Sequence, residues 1–157
     1  MNEIVPTNYL ECLLKSWSTK PTELLPWLSQ LRAQAIDHVG TQRLPNKRDE
    51  EWRFTDISSL AHLPYQPSQP EYNLQAQDIE HLYLKEAKNR LVFVDGHYSP
   101  QLSTTIDPTV LMIGNLPAFL STHASMLESH LGQYAKFDNN VFTALNTAFL
   151  RDGALIV

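Results

Sequence analysis

Prolines at positions 64, 67 and 70 recur every third residue, and no other feature constrains this chain as tightly. Each removes a backbone donor and fixes φ at about −65°, so the stretch is unfit for a helix interior or a central strand. Its spacing suits an extended polyproline path. The hydrophobic pattern changes character across it, which places a boundary between two kinds of folded segment there.

On the N-terminal side the period is helical. Tyr9, Leu10, Cys12, Leu13, Leu14 and Trp17 recur at steps of three and four, predicting a short amphipathic helix over residues 7–17. After Pro21 and Thr22, a second stripe of Trp27, Leu28, Leu31, Ala35, Ile36 and Val39 follows, which Gly40 is expected to end. Two antiparallel helices are the simplest outcome. Residues 44–60 open on Pro45 and a capping Asn46, carry dense charge and close on Thr55, Asp56 and Ser58, predicting a short third helix or helical turn. Within it Asp49 and Arg53 stand four apart with the acid first, the favourable order for a helix pair, although an exposed pair contributes only about 0.3–0.5 kcal/mol.

Beyond the prolines the pattern is mixed. Residues 78–88 predict a helical turn. Leu91, Val92, Phe93 and Val94 are β-prone, Asp95-Gly96 is a type I′ turn signal, and His97, Tyr98 and Ser99 return as the second strand of a hairpin. Val110, Leu111, Met112 and Ile113 read as a third strand closed by Gly114 and Asn115. Residues 117–131 carry Phe119, Leu120, Met126, Leu127 and Leu131 at spacing for one or two helices. Val141, Phe142, Leu145, Ala148 and Phe149 mark the buried face of a further helix, after which Asp152-Gly153 turns the chain. Ala154, Leu155, Ile156 and Val157 then start an apolar strand with no following segment to pair with, so its neighbour is expected beyond the sequence, in a longer protein. The expected fold class is α+β, with a helical subdomain at 1–63, a proline-rich linker at 64–75 and a small mixed subdomain at 76–157.

Composition narrows the function. Apolar residues at 43% and charged residues at 18% place the chain among soluble globular proteins. Its 12 Lys and Arg against 17 Asp and Glu give a net charge of −5 without a basic run, which excludes nucleic acid as the expected partner. No apolar stretch reaches the roughly 18–20 residues that span a bilayer, and the start lacks a signal-type block, so a cytoplasmic location is expected. Cys12 is the only cysteine, so a thiolate cluster site cannot be completed within one chain, and its helical alignment predicts a buried packing thiol. The six histidines show no i, i+4 metal pair; only His123 and His130 are spaced to share a helix face. Phosphate-binding and nucleophile-elbow motifs are absent. Asp49, Glu50 and Glu51 sit among Lys47, Arg48 and Arg53, which reads as a solvated charged face rather than a general acid/base site. Trp52 in their midst is expected to anchor the segment to the helical subdomain or to offer a rim aromatic to another protein.

Three segments carry a resemblance. Residues 44–56, LPNKRDEEWRFTD, are similar to the "LP…RDEEWR(Y/F)TD" signature near the start of SufD and related members of the SufB/SufD family. Residues 91–100, LVFVDGHYSP, with Leu102-Ser103, resemble the family's "LVFV(D/N)G.Y.P.LS" hairpin, and residues 142–149 with 152–154 resemble its "F.ALNTAF..DGA" segment. The first forty residues match only as a generic helical lead. The resemblance implies the N-terminal region of a SufD-like scaffold subunit for iron–sulfur cluster assembly, continuing into a long right-handed parallel β-helix that begins at residues 154–157, then a C-terminal helical region. It further implies SufB-like and SufC-like partners, the latter an ATPase, with nascent clusters built at the interface between the SufB and SufD subunits.

None of those interface positions has a counterpart here, so no catalytic residue, cofactor ligand or metal ligand is carried over, and the iron–sulfur cluster belongs to the full complex. Asp49, Glu50, Trp52 and Arg53 remain as a candidate partner-contact or structural signature. The expected role is non-catalytic: capping the β-helix or contacting partners. The rivals are a stand-alone protein-binding adaptor and an acid/base enzyme using residues 49–51, which would require a deep pocket holding at least two of those acids.

Overall fold

The structure, a computed structural model, describes residues 9–17, 25–62, 68, 72–105 and 111–157. In chain order the elements are α1 (Tyr9–Trp17), α2 (Pro26–Thr41), 3-10 turns at Glu50–Trp52 and Ser58–His62, α3 (Ala76–Ile79), a 3-10 turn at Glu80–Leu82, β1 (Phe93–Val94), β2 (His97–Tyr98), β3 (Ile113–Asn115), α4 (Leu116–Glu128), α5 (Val141–Ala148) and β4 (Ala154–Ile156). This is a mixture of α-helices and small antiparallel sheets. Among the described residues no helix is long and apolar enough to cross a membrane.

Two compact units result, one of residues 1–67 with 130–150 and the other of residues 68–129 with 151–157. The contiguous division expected at 1–63 and 76–157 is thus replaced by an interleaved one. The physical reason is α5, whose apolar face has its most extensive packing partner in α2. The first dividing point, after residue 67, falls inside the expected 64–75 linker, whose residues 64–67 and 69–71 lie outside the described residues.

In the helical unit, Pro26 starts α2 where its missing N–H costs nothing, and Leu28, Arg32, Ala35, Ile36 and Val39 form its buried stripe. Gly40 lies inside the helix, not past its end: its φ is not positive, and the chain leaves the helix only at an extended Gln42. Asn140 caps α5, its Oδ1 accepting from the N–H groups of Phe142 and Thr143, each at 3.0 Å. One apolar cluster gathers Leu10, Ala35, Ile36, Val39, Val141, Ala144, Leu145 and Ala148. Each large member contributes about 1.5–3 kcal/mol by leaving water. The Ala148 carbonyl, at the end of α5, accepts from Trp17 Nε1 and from Arg32 Nε, both at 3.0 Å, which satisfies an orphan helix carbonyl and brings a cation to the negative end of the dipole. Cys12 is half-buried and unbridged, not the buried thiol expected, because Leu10 alone is fully buried on α1.

In the mixed unit, the hairpin forms as expected. Phe93 pairs with Tyr98 and Val94 with His97, and the turn has positive φ at both Asp95 (49°) and Gly96 (84°), the type I′ requirement. The third strand starts later than expected, at Ile113, and includes Gly114 and Asn115; residues 106–110 lie outside the described residues. Gly114 fits closely there, since a Cβ would stand 3.1 Å from Phe119 Cε2 and the ring would have to give by a few tenths of an ångström. The expectation that the terminal strand lacks a neighbour within the sequence is overturned. β4 pairs antiparallel with β3, Ile113 opposite Ile156 and Asn115 opposite Ala154, and reciprocal bonds between Met112 and Val157 extend the ladder. The partner precedes β4 by some forty residues, a separation that local patterning does not reveal.

Candidate functional site

The residues singled out in the sequence lie on the loop that leaves α2. Because that loop forms 3-10 turns rather than an α-helix, residues four apart do not stack, and the expected Asp49–Arg53 pair is not formed. Asp49 instead takes a two-point bond from Arg43: Nη2 to Oδ1 at 2.6 Å and Nη1 to Oδ2 at 2.8 Å. Its Oδ2 also accepts from the Asn46 N–H at 2.8 Å, and Asn46 Oδ1 accepts from the Arg48 N–H at 2.9 Å. Lys47 pairs with Asp56 at 2.8 Å, and Asp56 receives the Ser58 N–H. Arg53 lies over the Phe54 ring, 4.5 Å from its centroid.

Trp52 is the anchor. Its ring packs on Phe142 of α5 with centroids 5.4 Å apart, and Leu44 packs against the apolar cluster. Between the loop and the start of α5 runs an open groove of about 660 Å³, lined by Arg43, Asp49, Glu50, Glu51, Trp52 and Asp138 among others. The hydrogen bond from Arg43, then that from the Asn46 N–H, lowers the Asp49 carboxyl to about 2. Asp56 is likewise held below the usual carboxylate range by Lys47 and the Ser58 N–H. A carboxylate so fixed is ionised across neutral pH and already bonded, so Asp49 does not act as a proton donor there. Glu50 and Glu51 are exposed. Among the described residues no group of three or more His, Cys, Asp or Glu side chains is placed to hold a metal ion. His123 sits at a kink in α4, while His130 lies past the end of that helix, stacked on Tyr134, so they do not share a helix face.

The comparisons with known proteins bear on residues 7–157, which match the model of the SufBD protein N-terminal region. The chain belongs to the SufBD family. It is also similar to an iron–sulfur cluster assembly SufBD family protein of Synechocystis sp. (strain ATCC 27184 / PCC 6803 / Kazusa), with 39% identity over 128 residues, which are 80% of this chain and 28% of the relative. The chain therefore spans just over a quarter of the curated relative it matches.

On this SufBD chain the three recognisable segments have separate structural duties. The 44–56 signature forms the anchored loop, residues 91–100 form the hairpin, and residues 142–154 form α5 and the entry to β4. Asp152, read in the sequence only as a turn residue, ties the mixed unit together: Oδ2 accepts from the Tyr98 N–H at 2.8 Å, and Oδ1 from Asn115 Nδ2 at 3.0 Å and the Gly153 N–H at 2.9 Å. Arg43, the partner of Asp49, was also missed, because a spacing of six follows no regular element. Asn140 was findable as a cap residue directly before an apolar stripe.

Proposed function

We propose that this chain is the N-terminal portion of a SufD-type scaffold subunit of iron–sulfur cluster assembly, working in the cytoplasm with SufB-like and SufC-like subunits and contributing no catalytic group of its own. The observation that carries the reading is the family match over residues 7–157, joined to the similarity to a cluster-assembly protein. SufD rather than SufB rests on the resemblance of the signature segment. The direct test is affinity purification of the full-length protein from its native host. SufB-like and SufC-like subunits are expected with it in stoichiometric amount; their absence, with the protein intact, contradicts the proposal.

Two roles suit the module itself. As a partner-contact surface it offers Phe54, 87% exposed beside Arg53, residue types enriched where proteins meet. As a cap it offers the antiparallel sheet of β3 and β4, whose edge could pair with a strand of a β-helix. Deleting residues 1–153 from the full-length protein separates them. Aggregation follows if the module caps; a well-behaved scaffold with impaired partner binding follows if it recruits.

A further inference from the structure

The groove between the 41–52 loop and the start of α5 has an electrostatic character that the scaffold reading does not use. Four acids, Asp49, Glu50, Glu51 and Asp138, line it against one cation, Arg43, and that cation is consumed by its two-point bond to Asp49. The other cations of the loop, Lys47, Arg48 and Arg53, do not line it, and Lys47 is turned to Asp56 and Arg53 to the Phe54 ring. Glu50 and Glu51 have no side-chain hydrogen bond or ion pair among the described residues, and Asp138 has only His38 Nε2, at 4.0 Å. A half-buried indole, Trp52, adds an aromatic surface beside these charges.

The chemistry of the occupant follows by elimination. An anion meets the like charge of four lining acids, and at the α5 N-terminus Asn140 already takes the N–H groups of Phe142 and Thr143. A divalent ion needs converging ligands, and the described acids do not converge. What remains is a cation on a long apolar stem, whose charge pairs with a carboxylate while its methylenes or guanidinium plane lie along an indole. The groove is open rather than enclosed and is larger than a single side chain, and Asn139 on its wall offers amide groups to a main chain.

We propose that this groove docks an extended arginine- or lysine-bearing segment of a partner protein, its cation paired with Glu50, Glu51 or Asp138 and its stem along Trp52. The inference stands on the groove alone and does not depend on which subunits accompany the full-length protein. The test titrates the isotopically labelled chain with acetyl-triarginine-amide at about 0.15 M ionic strength, where attraction beyond about 8 Å is screened. Backbone and indole N–H shifts are expected at Trp52 and across 41–52 and 138–142, and tri-glutamate is expected to produce none. The double substitution E50Q/E51Q should weaken binding about tenfold. The control E86Q/E128Q, with the same change in net charge at exposed positions elsewhere, should leave it unchanged. Shifts spread over all acidic surfaces, equal weakening by both double variants, or no shifts at millimolar peptide would overturn the proposal. The shift map of the unsubstituted chain decides the matter even if a variant misfolds.

Discussion

In the helical unit, Ala35, Ile36, Val39, Ala144, Leu145 and Ala148 share one apolar cluster, whereas in the mixed unit Ser99 is fully buried and the Asp152 carboxylate gathers three N–H donors. The first is held by apolar packing between helices, whereas the second adds short strands and a polar junction to a smaller set of buried apolar side chains, Leu102, Leu116, Phe119 and Leu127. Fully buried alanines let α2 and α5 approach closely, so the stabilising quantity there is apolar area removed from water. Strands of two or three residues bury little, and a half-buried donor that loses its acceptor carries the larger penalty. Truncating an apolar side chain should therefore harm the helical unit most, and removing an acceptor should harm the mixed unit most.

The largest expected effect is at α2. Ile36→Ala should cost about 2–5 kcal/mol in urea unfolding, with faster amide exchange confined to 9–60 and 137–149. Equal loss of protection across 91–103 would break the contrast between the units. Next, Asp152→Ala strands the Tyr98 N–H and the Asn115 amide and should cost about 1–3 kcal/mol, read as faster exchange at Tyr98, while Asp152→Asn, which keeps an oxygen, should cost less.

A smaller loss, about 1–2 kcal/mol, is expected from Gly132→Ala, where φ is 75° and a Cβ would come 2.7 Å from Leu31 Cδ1. The smallest effect is pH-dependent. The Asp49 carboxyl, at about 2 in the fold, lies below its unfolded value of about 3.9, so it contributes stability that is fully present above that value and is lost as pH falls through about 2. The gap between the wild type and Asp49→Asn in denaturation midpoint should be present at about pH 5 and shrink progressively as pH falls through about 2. A gap constant with pH would remove the Arg43–Asp49 bond from the account.

The sequence made the helices and the hairpin legible because both are written in local signals: the stripes of α2 and α5 at helical period, and Asp95-Gly96 with its two positive φ values. What it hid was non-local. The pairing of β3 with β4, the migration of residues 130–150 to the N-terminal helices, and the Asp152 junction each join positions far apart in the chain. At the candidate site, the sequence gave Asp49 the wrong partner. The helical spacing rule does not apply to 3-10 turns, and the actual donor, Arg43, lies at the start of the loop, before the 3-10 turn.

The central structural claim is that the helical unit is completed by a segment lying beyond most of the mixed unit, and methyl NOEs test it most directly. The account predicts NOEs from the methyl groups of Ala35, Ile36 and Val39 to those of Ala144, Leu145 and Ala148. Methyl groups of α5 that show NOEs only within their own helix would contradict it.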